Sequence, residues 1–433
     1  MLSTTDQHKS VWSFRLIIVC LAAVSVSLPM AWISLAKLLV FVFGLVYLIA
    51  SHIEKRIDTR LQELWSAPTV LLILLFFSLS MLWSTSEQEV AWLAFVKHAR
   101  ILEILLLVSL IRSAREARVA MAAFALGQCL LLLSSWLLVA GVAIPWKTAH
   151  MIHPLQGRYV VFSTYLDQSI IFSATAGVLW HLRSNHIWPR WTGGLFAAAA
   201  LINVLFLLEG RTGYAVAVAV LSLAVMWQMP KRLQLATLVV TPIVVLAAIY
   251  LGSSQVQSRI SQIIQESQTH ANQAASVSSS GWRLNSWHRS LQAMQAEPWL
   301  GYGVGSWTMT VKKIEGKAAA QVFGEGKAGN PHQEYLLWGV ELGIGGTLLL
   351  LAFMGSLVRD ALRFERSIAQ ATMSVVAAMA VACMFNSSLY DALIGDYFCV
   401  ALGLLMALGV RTKTETSFQT STLIHPKHEK ASA

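Results

Sequence analysis

Apolar runs close to the length of a bilayer crossing recur from one end of this chain to the other, and that repetition restricts the fold more than any single motif. A spanning helix needs roughly 20 consecutive, mainly apolar residues, and about twelve such runs fit the sequence. They fall near 12-29, 32-51, 66-84, 90-111, 119-140, 165-183, 192-209, 212-229, 234-252, 334-357, 368-387 and 395-411. No period-2 alternation accompanies them, so the spans are helices rather than barrel strands. The expected fold class is all-α, a polytopic integral membrane protein. With 56% hydrophobic and 12% charged residues, the chain carries more apolar surface than one soluble core can bury.

Lys and Arg gather in alternate connections: Lys55, Arg56 and Arg60; Arg112, Arg115 and Arg118; Arg183 and Arg190; Lys231 and Arg232; Arg359, Arg363 and Arg366. Cationic short loops stay in the cytoplasm, which places both termini there and puts the connections around 84-90, 141-165, 209-212, 252-333 and 387-395 on the other face. The first apolar segment lacks a small-residue cleavage site and is expected to be a retained helix. The chain therefore divides into 1-251 with about nine spans, a loop at 252-333, 334-411 with about three spans, and a polar tail at 412-433 expected to be disordered. Much of the net charge of +10 is topology, and no basic patch interleaved with aromatics suits nucleic acid. Cys20, Cys129, Cys383 and Cys399 lie in or beside spans, and none reads as a metal ligand or disulfide partner.

The loop has two halves. The first carries Val256, Ile260, Ile263 and Ile264 at helical spacing, which predicts an amphipathic helix followed by a Ser-rich linker. In the second, Trp287, Leu291 and Met294 form an apolar stripe, Pro298 ends the helix, and Gly301, Gly303 and Gly305 follow. Alternate glycines permit either tight turns or backbone approach to a phosphate, and the residues alone leave both open.

Ionisable residues at the outer ends of the spans are the candidate site, because charge at membrane depth is costly and by default functional. His332 stands where the loop enters the tenth span, with Gln333 and Glu334 placed to cap that helix. Arg211 sits in "LLEGRTGY" between two spans, Arg158 in "QGRYVVFS", Arg283 at the start of a loop helix, Lys97 and Arg100 near the outer half of the fourth span, and Asp391 before the last. Four of them have a plain structural reading: an interfacial cap for His332, an ion pair with Glu297 or Glu325 for Arg283, snorkelling for Lys97 and Arg100. One histidine among arginines also suits displacement at carbon with a phosphate leaving group. Arginine offers a planar bidentate fork that never loses its charge, and histidine takes a proton near neutral pH. The outer loops hold no Asp-x-Asp pair, so arginines would stand in for a divalent metal.

These residues carry a family resemblance. A His followed by an amide residue, then Gly-x-x-Gly-Thr, here His332, Gln333, Gly343, Gly346 and Thr347, together with "GYGVGSW" and "EGRTGY", resembles the O-antigen ligase family, which is grouped with O-antigen polymerases. Gln333 departs from the commoner Asn. The resemblance implies a glycosyltransferase C-like membrane fold and an inverting enzyme without cofactor or metal. It would transfer O-antigen from undecaprenyl diphosphate to lipid A-core on the periplasmic side of the bacterial inner membrane. Carried over by position, His332 would activate the acceptor hydroxyl, Arg211 would bind the diphosphate, and Arg283 would be a second phosphate ligand. Arg158, Lys97, Arg100, Gln333 and Asp391 are substrate-binding candidates from their placement. The alternatives are a polymerase of the same superfamily and a transporter; against the latter, the sequence shows no internal repeat and no pair of Gly- or Pro-broken spans.

Overall fold

The chain folds, in a computed structural model, as an all-helical bundle that describes residues 4–54, 59–149, 157–185, 187–252, 257, 261, 279–316 and 329–424. The helices are α1 (Thr4–Ser25), α2 (Met30–Ile53), the short α3 (Thr59–Gln62), α4 (Ser66–Ser80), α5 (Gln88–Ala99), α6 (Leu102–Leu110), α7 (Ala114–Val139) and α8 (Tyr165–Leu182). They continue with α9 (Arg190–Ile202), which ends in a π-turn (Asn203–Leu207), α10 (Arg211–Met226), α11 (Lys231–Gly252), α12 (Ser279–Ala296), α13 (Trp307–Glu315), α14 (Glu334–Ala361), α15 (Arg366–Phe385) and α16 (Ala392–Ile424). Among the described residues, 7 helices are long and apolar enough to cross a membrane, and Phe14–Ser25, Ser66–Ser80 and Arg211–Met226 are shorter apolar helices. Every apolar run read from the sequence is helical.

The apolar part of α16 is wholly buried, packed by α6, α7 and α15, whereas α11 lies on the periphery against α10. Polar side chains tie the interior together. Gln128 donates to Ser27 at 2.8 Å and accepts from Thr175, whose hydroxyl meets the Tyr397 hydroxyl at 2.8 Å. The Asp360 carboxylate caps the start of α4, accepting the amides of Trp65 and Ser66 at 2.8 Å each.

Two spans depart from the sequence reading. The run at 90-111 is interrupted at Arg100 and Ile101. Arg100 Nε takes the Lys97 carbonyl at 2.8 Å, and the Ile101 amide turns to His98 instead, tightening the helix to three-residue bonding. The tenth span is bent sharply at Gly343, which adopts φ 68° and ψ −163°. Thr347 Oγ1 donates to the Tyr335 carbonyl, twelve residues back, at 2.9 Å; a straight helix would hold those residues ~18 Å apart.

The break frees backbone groups, and the chain ahead of it satisfies them. Tyr302 and Gly303 amides bond the Val340 and Glu341 carbonyls at 2.9 Å each, and the Ile344 amide bonds the Pro298 carbonyl at 2.8 Å. A Cβ on Gly301 would lie 2.6 Å from the Val340 carbonyl oxygen, so glycine is required for two backbones to meet. Gly303 and Gly305 press similarly on the 80–91 connection. Their amides serve Glu341, through its carbonyl and its Oε1 respectively. The Gly-x-Gly-x-Gly stretch is therefore a packing strap, and the phosphate-binding alternative is set aside.

Two further expectations change. The buried face of α12 is Ser286, Ser290 and Ala293, small residues that allow close approach to α14, while Leu291 is exposed. The last helix runs to Ile424, so residues 412–424, read as an irregular tail, are helical in backbone. The predicted amphipathic helix through Val256, Ile260, Ile263 and Ile264 falls outside the described residues.

Candidate active site

Five chain segments meet where α8 and α10 begin: the first turns of α8, α10 and α12, residues 330–333, and the 386–391 link between α15 and α16. Gly210 and Gly213 seat the start of α10 on α8, since a Cβ on either would collide with Ser169. That contact sets Arg211 at the first position of α10, behind an N-cap, Gly210, that offers no side-chain bond to the helix amides. Positive charge from the guanidinium and from the open helix N-terminus thus coincide.

Arg283, in the second turn of α12, is half-buried, and its pKa is lowered by burial, opposed by Tyr165 and Asp391 and reinforced by nearby Arg211. His332 has a left-handed backbone at φ 52°, and its ring meets Trp282 edge to face at 5.0 Å between centroids. Burial lowers the imidazole pKa. A hydrogen bond with Asn386 raises it, Arg283 lowers it again, and Asp391 raises it.

Arg283 lies within electrostatic reach of Arg211 on one side and of His332 and Asp391 on the other, so it links Arg211 to the histidine. His332 Nδ1 lies 3.0 Å from Asn386 Oδ1, and Asn386 Nδ2 donates to Asp391 Oδ2 at 2.8 Å. Asn330 Nδ2 reaches Asp391 Oδ1 at 3.4 Å, and Asn330 Oδ1 accepts the His332 amide at 2.9 Å. The four residues close a ring of hydrogen bonds.

Other candidates have different work. Lys97 lies over the Tyr390 ring at 4.1 Å, beside Asp391. Arg100 is buried and committed to structure: it donates to the Lys97, Asp391 and Ala392 carbonyls and sits 3.6 Å from Asp396, which Lys37 also pairs at 2.8 Å. It fastens the 386–391 link to the break between α5 and α6. Gln333 is the N-cap of α14, its side-chain oxygen accepting the Leu336 amide at 2.6 Å. Arg158 is exposed over the Tyr159 ring, and among the described residues its contacts do not join the His332 ring.

Sequence reasoning missed Asn386, Asn330, Trp282 and the full role of Glu334. The Glu334 carboxylate accepts the Leu389 and Tyr390 amides at 3.0 and 3.2 Å and Trp338 Nε1 at 2.9 Å, fixing the link against the head of α14. A search for charge passes over neutral amides; the available signal was that Asn386 shares one short link with the ionisable Asp391.

Chemically, a histidine whose pKa is lowered first by burial, two guanidiniums in electrostatic reach of each other and a helix N-terminus are groups suited to taking a proton from a hydroxyl and to holding a phosphate-bearing group. No curated protein matches the chain. Residues 196–351, which carry Arg211, Arg283 and His332 and stop before Asn386 and Asp391, match the family model described as O-antigen ligase.

Proposed function

We propose that this chain, whose residues 196–351 match the family model described as O-antigen ligase, is an inverting glycosyltransferase joining O-antigen polysaccharide, carried on undecaprenyl diphosphate, to lipid A-core at the periplasmic face of the inner membrane. The observation that carries this reading is that Arg283 lies within electrostatic reach of both His332 and Arg211, beside the hydrogen-bonded ring that holds His332. The acceptor hydroxyl attacks the anomeric carbon of the donor sugar as the bond from that carbon to the diphosphate oxygen breaks. Its proton passes to His332. Undecaprenyl diphosphate leaves with the bonding pair, and its added negative charge is met by Arg211, Arg283 and the start of α10. Asp391 steadies the imidazolium through Asn386, and Lys97 lies toward the acceptor side.

The test is a lipopolysaccharide gel from a host lacking the gene, complemented with the wild-type chain, together with an assay of carrier-linked glycan. A ligase abolishes the core-linked ladder when absent and leaves polymer on the carrier. A core bearing one repeat would assign a polymerase instead, and an unchanged ladder would refute both.

Arg211→Lys keeps the charge but not the fork, and it is expected to slow transfer by about 10²-fold or more. Full activity of that variant, assayed in nanodiscs with purified donor and acceptor, would remove the bidentate role. Arg283→Gln tests the electrostatics. His332 must be neutral to accept a proton, and Arg283 holds its pKa down. Removing that charge raises the pKa, so the acidic limb of kcat/KM is expected to move to higher pH, with Asp391 left as the nearest opposing charge. A limb that stays in place would mean that Arg283 does not act on His332.

A further inference from the structure

From the ring of hydrogen bonds we infer that Asn386 is a positioning residue that locks His332 in the tautomer with the proton on Nδ1, leaving Nε2 as the proton acceptor. The inference follows from what each atom can do. A carboxylate accepts hydrogen bonds and does not donate them. The Asn386 atom 2.8 Å from Asp391 Oδ2 is therefore its NH2 group, which turns its carbonyl oxygen toward His332. That oxygen can only accept. Nδ1, 3.0 Å away, must then carry the hydrogen, and a neutral imidazole has only one, so the lone pair lies on Nε2.

Asn330 repeats the logic on the backbone. Its NH2 group faces Asp391 Oδ1, so its oxygen faces the His332 amide and holds the residue at φ 52°, a conformation side chains other than glycine seldom adopt. One carboxylate thus orients two neutral amides, and the two grip the histidine by ring and by main chain. Placing an amide between Asp391 and the imidazole keeps full negative charge off the ring.

The catalytic meaning of this assignment rests on the proposed role of His332; the tautomer itself does not. The full-length protein, labelled with 15N-histidine and reconstituted in nanodiscs, gives the direct readout. The His332 signals are those lost in His332→Gln. The expected spectrum shows a protonated Nδ1 and an unprotonated Nε2. Asn386→Leu removes the acceptor and should shift His332 toward the Nε2-protonated tautomer. Transfer kcat should fall on the order of 10²- to 10⁴-fold with donor KM little changed. Asn386→Asp is the conservative control: the substituted carboxyl, sharing a proton with Asp391, still accepts from Nδ1, and so should keep the wild-type tautomer and recover a substantial part of kcat.

An Nε2-protonated His332 in the wild type, or a tautomer unmoved by Asn386→Leu in protein that remains monodisperse, would overturn the inference. If Asn386→Leu fails to fold, the wild-type and Asn386→Asp spectra still decide it. The inferred tautomer combined with an active His332→Ala would instead refute the base role and leave the positioning assignment standing.

Discussion

His332→Ala is expected to yield a folded, membrane-inserted protein whose transfer rate is lower by about 10²- to 10⁴-fold, the usual contribution of a general base. The fold should survive because, among the described residues, the imidazole makes one hydrogen bond, to Asn386, and an edge contact with Trp282. The backbone grip from Asn330 Oδ1 uses the amide, which alanine retains. Donor binding should persist, since Arg211 and Arg283 are untouched. Single-turnover transfer in nanodiscs, with donor binding measured alongside, separates the two effects. Equal loss of binding and turnover would point to collapse of the pocket rather than loss of a base.

Gly343→Ala is expected to have the largest effect on folding. The residue sits at φ 68° and ψ −163°, a region essentially reserved for glycine, where strain alone costs about 1–3 kcal/mol. A Cβ there would also lie 2.5 Å from the Pro298 carbonyl oxygen and 2.6 Å from that of Trp299, both backbone atoms that have no rotamer by which to retreat. Relief requires pulling the 298–303 strap away from α14 and losing the bonds of Tyr302, Gly303 and Ile344. Gly345→Ala, two residues on, meets nothing within 4 Å and should behave as wild type. Thermal denaturation in detergent, scored by monodispersity, should separate the pair clearly. Equal stability of the two variants would mean that the break at Gly343 does not hold the head of α14.

Hydropathy revealed the helices because lipid-facing and buried apolar residues both register as apolar, whichever way a helix turns. It did not reveal the breaks. Arg100 and Gly343 interrupt their spans through contacts made far along the chain, with Ala392 and Pro298, that no local window contains. The charged half of the site was legible for the opposite reason: His332, Arg211 and Arg283 stand out against an apolar background. Arg100 stood out equally, yet its guanidinium bonds backbone carbonyls, and a sequence does not tell a charge that anchors backbone from one placed beside the His332 ring. Gln333 proved to be the helix cap that its position allowed. The asparagines were invisible because a neutral amide carries no cost that marks it; their importance arises from the hydrogen each can give to Asp391 and the oxygen each then turns to His332.

The ring around His332 is assembled from stretches that the ribosome delivers far apart in time. Its members come from residues 330–332, 386 and 391, and two of the packed helices, α14 and α15, lie between the first pair and the last. Asp391 reaches the ring only after α15 has been threaded back across the bilayer. A nascent chain that ends within α15 already holds Arg211, Arg283, Asn330 and His332, but neither Asn386 nor Asp391 has been made, and Asn330 has no carboxylate to orient it. On the tautomer inferred above, His332 acquires its fixed proton position only once the chain beyond α15 has been made.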